Sequence, residues 1–255
     1  MSRVNVFLPE RPVPAPSPTA CARCQSRACA VCADADTDCL TELDRIAHRA
    51  YLAAGESFVL EGEDARFAAN VISGGLKVQK SLSDGRTQSV CFLYPGEFFG
   101  LPLHRRQAFS ATAFDDTELC LLPRPALNRI MERHPDFERR LFRVIEDQLA
   151  AASEHLLLLG RKSAIERVAS FLLDLQLRAT RRGATDGPIG LPLTRLEIAD
   201  YLGLTIETVS RCFTRLRQNG VVETLPGHPA RVHILDLARL AGIAKSEAGS
   251  AAGVS

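Results

Sequence analysis

The chain has 255 residues, of which 46% are apolar and 24% charged, and its formal net charge is +1. A chain of this length and composition is a globular protein able to bury one core and expected to bury two. A near-neutral balance excludes binding to nucleic acid or membrane through global charge alone, so any such contact must come from a local patch.

The first twenty residues, MSRVNVFLPERPVPAPSPTA, read as a proline-rich flexible arm without the apolar core of a signal peptide. No stretch of the chain approaches the roughly 20 apolar residues that span a bilayer. The expected location is the cytoplasm, where thiols stay reduced and no membrane partner is expected.

Next comes CARCQSRACAVC, which places Cys21, Cys24, Cys29 and Cys32 within twelve residues. In a reducing compartment, clustered thiols point to metal binding or redox sensing rather than to disulfides. The C-x2-C-x4-C-x2-C spacing suits zinc held by all four. A thiol switch is a further reading. Cys39, Cys91 and Cys212 read as small buried apolar residues, and Cys212 falls on a helix where a redox role stays open.

TDCLTELDRIAHRAYL (37–52) reads as a short helix leading into a strand. From 53 to 123 the runs GESFVLEGE, FAANVISGGLKVQKSL, RTQSVCFLYPGEFFG and SATAFDDTELCLLP are short, β-rich and broken by Gly, Asp-Gly and Pro-Gly, which predicts an all-β roll. SDGR (83–86) is its clearest hairpin turn. Pro123 and Pro125 close the β region.

HPDFERRLFRVIEDQLAAASEHLLLLG then places Phe137, Leu141, Val144, Ile145, Gln148, Leu149, Ala152, His155, Leu156 and Leu159 near one stripe of a long helix ending near Gly160. A seam this long is expected to pair with a second copy of the chain. AIERVASFLLDLQLRA (164–179) predicts another amphipathic helix, and RRGATDGPIG (181–190) a polar loop.

LPLTRLEIADYLGLTIETVSRCFTRLRQNGVV (191–222) carries the strongest motif. Thr194 and Glu197 form a capping box for a helix whose expected inward face is Leu196, Ile198, Ala199 and Leu202. Gly203 supplies the turn, and Thr205 caps a second helix that buries Val209, Phe213 and Leu216. Its other face offers base-reading side chains: Glu207, Ser210, Arg211 and Thr214. Arg215 and Arg217 flank that face and suit phosphate contact. VVETLPGHPARVHIL then reads as strand–turn–strand, a wing. No nucleophile–base pair, phosphate loop or HExxH appears and the six histidines are scattered, so no enzyme activity is expected.

These motifs together resemble the Crp/Fnr family of bacterial transcription regulators, over about residues 20–240. GLTIETVSR (203–211) is similar to the Fnr-branch recognition helix, whose E-x-x-S-R falls on Glu207, Ser210 and Arg211. LLLLGRKSAIERVASFLL (156–173) is similar to the family's hinge.

The resemblance implies an α+β fold: an N-terminal β-roll (a cyclic-nucleotide-binding-like jelly roll), a long dimerisation helix and a C-terminal winged helix-turn-helix. The expected parts are an arm and cysteine segment at 1–40, the roll at 41–134, the dimer helix at 135–162, the DNA-binding domain at 163–240 and a disordered tail at 241–255. In PGEFFGLPLHRRQAFSATA, Leu101 stands where nucleotide-binding members carry Glu, and Phe109 precedes Ser110 where they carry Arg, so no cyclic nucleotide is expected.

The Fnr branch holds a [4Fe–4S] cluster with three N-terminal cysteines and one from the roll. Carried over, the ligands are Cys21, Cys24 and Cys32, in C-x2-C-x7-C spacing, together with Cys120. Cys29 is the alternative third ligand and zinc the alternative metal. The resemblance further implies a cytoplasmic homodimeric activator, bound to palindromic double-stranded DNA like TTGAT…ATCAA and controlling genes for low-oxygen life. Oxygen would dismantle the cluster, weaken dimerisation and release DNA. RNA polymerase is the implied further partner, through surface loops such as 83–87.

Overall fold

A computed structural model describes residues 21, 24–100, 105–181, 183, 189–191, 193–225 and 228–245. The arm before Cys21, Leu101 and the last ten residues lie outside them. The chain folds as two compact units, Met1–Ala150 and Ala151–Ser255. Among the described residues no helix is long and apolar enough to cross a membrane.

In the first unit, helix α1 (Thr37–Ile46) starts where the Asp36 carboxylate accepts the Cys39 N–H at 2.7 Å. Eight strands follow: β1 (His48–Leu52), β2 (Ser57–Val59), β3 (Phe67–Ser73), β4 (Leu76–Ser81), β5 (Thr87–Leu93), β6 (Phe98–Phe99), β7 (Ser110–Ala113) and β8 (Thr117–Pro123). They form two four-stranded antiparallel sheets, β1-β8-β3-β6 and β2-β7-β4-β5. The SDGR turn is where expected, joining β4 to β5 with Gly85 at φ 88°.

Strand alternation decides which side chains meet. Leu119 and Leu121 of β8 face inward with Phe58, Val71, Leu76 and Phe99. Cys120 and Leu122 face outward. Helix α2 (Arg124–Arg133), α1 and the start of α3 (Pro135–Arg161) supply Leu43, Leu127, Ile130, Phe137 and Leu141 to a second core on that outer side. The expected roll at 41–134 is thus folded as one unit with the cysteine segment and the start of the long helix.

In that helix Phe137 and Leu141 are buried, and Val144 and Ile145 half-buried. Gln148, Leu149, Ala152 and Leu156 of the expected stripe are exposed. Cys39 and Cys212 are buried as the sequence predicts, whereas Cys91 is half-buried, because it lies where the register shifts between Val78 and Gln79 in the β4–β5 pairing.

The second unit holds α4 (Ala164–Arg181), α5 (Arg195–Leu202), α6 (Ile206–Gln218) and a sheet ordered β10 (Val222–Leu225), β11 (His228–Ile234), β9 (Ile189–Gly190). Val168, Phe171, Leu172 and Leu175 of α4 are buried. Strand β9 replaces the end of the expected polar loop: two residues carry no period, and only their pairing with Arg231 and Val232 makes them a strand. Helix α7 (Leu237–Lys245) is a further departure, since the tail expected from 241 is helical to Lys245, with Ala244 buried. Asp236 caps α7 by accepting the Arg239 N–H at 2.8 Å, and Leu240 is its buried anchor.

Candidate thiol centre and nucleic-acid interface

The cysteine segment is wound by successive short-range bonds, Cys24 N–H to Cys21 O at 3.3 Å, Arg27 N–H to Cys24 O at 3.1 Å and Ala30 N–H to Arg27 O at 3.1 Å. Ala30 and Val31 are buried and anchor it. Its start is tied to α1, where Asp44 Oδ1 accepts the Cys21 N–H at 3.0 Å.

Four thiols lie close enough to feel one another's charge. Burial pushes the Cys21 thiol up, reinforced by a hydrogen bond to Asp44 and then by Cys120 and Cys32. The Cys32 thiol is raised by burial and by Cys24, against the pull of Arg27 and Arg140. The Cys120 thiol is pushed up to about 12 by burial first and by Cys32, Cys24 and Asp44, with Arg49 opposing.

Cys29 has bonds of its own. Its exposed thiol donates to Ser26 O at 3.3 Å and Pro95 O at 3.7 Å. It also packs on Gly96, where φ is 91° and an added Cβ would meet the Cys29 Sγ at 2.3 Å. Cys32 and Cys120 pack against the same core, while the Cys29 thiol bonds to the Ser26 and Pro95 carbonyls. Among the described residues no three His, Cys, Asp or Glu side chains close round one point as a single ion needs.

Sequence reasoning misses Arg49 and Asp44. Arg49 stands directly opposite Cys120 in the β1–β8 register, and its Nη1 donates to Glu118 Oε1 at 2.7 Å. Alternation along β1 is the available signal.

The described polar groups near Phe109 and Ser110 bond within the roll. Lys80 Nζ donates to Glu61 Oε1 at 2.5 Å and to Ala108 O at 2.9 Å, and lies 5.6 Å from the Phe109 ring centre. Ser110 Oγ accepts the Glu61 N–H at 2.9 Å, and Arg106 Nη1 donates to Gly62 O at 2.8 Å.

In the second unit the capping box is complete. Thr194 Oγ1 accepts the Glu197 N–H at 3.2 Å, and Glu197 Oε2 accepts the Thr194 N–H at 2.9 Å. Thr194→Ala removes one arm and should lower this unit's unfolding free energy by about 1 kcal/mol, read by urea denaturation. Ile198, Ala199 and Leu202 are buried as expected, but Leu196 is 60% exposed. Two residues before Ile198, it sits about 200° round the helix and faces out.

Gly203 ends α5 at φ 61°, in the left-handed region glycine favours. Arg167 braces this turn, donating to Leu159 O at 2.8 Å, Lys162 O at 2.9 Å and Leu202 O at 2.9 Å. Thr205 caps α6 by accepting the Thr208 N–H at 3.3 Å. Val209, Cys212, Phe213 and Leu216 are buried.

Thr205, Glu207, Ser210, Arg211, Thr214, Arg215 and Arg217 are all exposed. Arg211 Nη2 contacts Thr208 Oγ1 at 3.4 Å, while Arg217 reaches Thr214 at 3.2 Å and Thr224 of β10 at 3.3 Å. The Glu207 carboxyl is lowered by a backbone N–H at the helix start, by Thr205 and by Arg211. Arg195 is a further residue the sequence does not single out: it lies over Phe213, 3.4 Å from the ring centre, and burial followed by the charge of Arg217 pushes it down to about 10.

Residues 166–243 match the Crp-like helix-turn-helix domain and 49–134 the cyclic nucleotide-binding domain. The nitrogen fixation regulation protein FixK of Bradyrhizobium diazoefficiens is 38% identical over 225 residues, 88% of this chain and 93% of that protein. The transcriptional activator protein FnrL of Cereibacter sphaeroides is 38% identical over 224 residues, 86% and 90% of the two chains. The structure of FixK2 from Bradyrhizobium japonicum superposes with a TM-score of 0.73 at 34% identity, covering 80% of this chain and all of that one. With a roll, a winged helix-turn-helix and relatives of this kind, the chain belongs to the Crp/Fnr family and is a DNA-binding transcription regulator rather than an enzyme.

Proposed function

We propose that the protein is a cytoplasmic, oxygen- or redox-responsive activator that holds a [4Fe–4S] cluster on Cys21, Cys24, Cys32 and Cys120 and binds palindromic DNA as a homodimer. The carrying observation is that Cys32 and Cys120 pack against one core while the Cys21 N–H is tied to Asp44 of α1, which packs on that core too. The donor set fits a cluster: four cysteines, largely withdrawn from water, with Arg27, Arg49 and Arg140 near the sulfurs. A cluster spreads its thiolates over several irons, so the ligands need not close round one point. Zinc held by the four N-terminal thiols would require Cys29, whose sulfur faces Ser26 and Pro95 instead.

Bound iron supplies the positive charge that keeps buried thiolates ionised and a centre sensitive to oxidation. The chain's own part is to join the segment 21–32 to β8, and so to the face on which α1, α2 and the start of α3 pack. On α3, Phe142, Leu149 and Leu156 recur every seven residues and are 52%, 67% and 71% exposed, the spacing of a coiled-coil seam.

A dimer would present two α6 helices to major grooves one turn apart, about 34 Å. Glu207, Ser210 and Arg211 would read bases, while Arg215 and Arg217 would hold phosphates. Arg195, beside Arg217, adds to that charge. A cyclic nucleotide is not required, because Ser110 and Lys80 are already bound within the roll. Low-oxygen genes are the proposed targets, and RNA polymerase the proposed partner once DNA is bound.

The test is anaerobic purification with iron, sulfide and zinc counted per chain before and after air. About four irons, and a broad visible absorption that bleaches in air, are expected of a cluster ligated by four cysteines. Colourless protein carrying one zinc would refute the cluster.

A further inference from the structure

The thiol centre has a cation beside it that no ligand set assigns. Arg49 and Cys120 are directly opposed in the β1–β8 ladder, so their side chains leave the sheet on the same, outer face. Tyr51, two residues on, shares that face. Glu118 Oε1 accepts both from Arg49 Nη1 at 2.7 Å and from Tyr51 Oη at 3.0 Å, and this fixes where the guanidinium lies.

We propose that Arg49 is a positioning and charge-setting residue of the thiol centre: held by Glu118, it presents its guanidinium to the sulfurs of Cys24 and Cys120 and raises the reduction potential of the cluster they hold. This rests on the iron–sulfur reading above.

Burial works against the Arg49 charge, but Glu118, then Cys24, and further down Cys120, each favour it. One cation thus serves sulfurs from two distant segments, the cysteine turn and β8. The other nearby charges are differently placed. Arg27 and Arg140 act on Cys32, and Arg140 is also bonded to Asp34 at 2.9 Å. Asp44 acts on Cys21 and Cys120 with the opposite sign.

As a partly exposed ion pair, Arg49–Glu118 adds little to stability. Its consequence lies in the field at the sulfurs. Cluster potentials follow net charge and hydrogen bonding to sulfur, and a cation held there favours the reduced form.

The experiment is an anaerobic optical redox titration of the full chain, with iron counted first. Arg49→Gln should shift the reduction equilibrium against the reduced form by about tenfold, ~59 mV for one electron. Arg49→Lys, which keeps the charge, should stay within about twofold of wild type.

Arg86→Gln makes the same change in net charge on the exposed β4–β5 hairpin and should leave the midpoint in place. Equal midpoints for Arg49→Gln and Arg86→Gln would overturn the proposal. If Arg49→Gln holds no iron, Arg49→Lys decides: iron held at the wild-type midpoint supports a charge at the centre, and iron lost there too overturns the assignment. A wild-type chain without iron fails at the first step, which refutes the cluster reading and the proposal built on it.

Discussion

Replacing Cys120 by alanine should reduce iron and sulfide to background, while Cys29→Ala should leave both at wild-type level. The contrast follows from strand geometry. Cys120 lies on the outer face of β8, between inward-facing Leu119 and Leu121, and its neighbours in charge are Cys32, Cys24 and Arg49. It is the one thiol of the four contributed from outside the segment 21–32, so no nearby cysteine on β8 replaces it.

Cys29, by contrast, bonds to Ser26 and Pro95 carbonyls and is exposed. Removing it costs weak S–H contacts and a packing neighbour of Gly96. Iron and sulfide analysis of anaerobically purified variants reads the result directly. Retention of the metal in Cys120→Ala together with its loss in Cys29→Ala would point to a zinc site confined to the N-terminal cysteines.

Arg211→Ala should weaken binding to the specific palindrome by about 5- to 150-fold, the loss of roughly 1–3 kcal/mol expected when a base-reading arginine is removed. Arg211 is exposed on α6, and its contact with Thr208 is long, at 3.4 Å, so the side chain is free to turn to a base. Glu207, one helical turn earlier, lies close enough to feel its charge. The same substitution should leave the dimer intact, because Arg211 is on α6 and the exposed seam is on α3. Titration against the palindrome and a scrambled duplex at one salt concentration, with sedimentation of the free protein, separates the two effects. A uniform loss on both duplexes would make Arg211 a phosphate contact rather than a base reader.

What can be read from the sequence is what neighbouring residues decide among themselves. The Thr194–Glu197 capping box, the Gly203 turn, the Thr205 cap and the buried series Val209, Phe213, Leu216 involve residues three to seven apart, and each stands where the sequence places it. The same holds for the 83–86 turn and the strand-rich run to Pro123. These features are local because a cap or a period is satisfied within one or two helical turns or strand pleats.

The departures are of another kind. Composition places Leu196 inward, and the period of α5 turns it out. The pairing of β9 and the docking of α7 depend on partners that a local pattern does not contain.

By itself, then, the sequence determined the winged helix-turn-helix, the face it exposes and the presence of clustered thiols. Only the tertiary structure decided which thiols pack against the same core. Cys29 and Cys32 are three residues apart, yet Cys29 lies against Ser26 and Pro95 while Cys32 packs against the same core as Cys120. Antiparallel register then set Arg49 against Cys120. Such proximity comes from closing long loops and packing sheet against helix, and a one-residue slip of β1 would have reversed which face carries the cation.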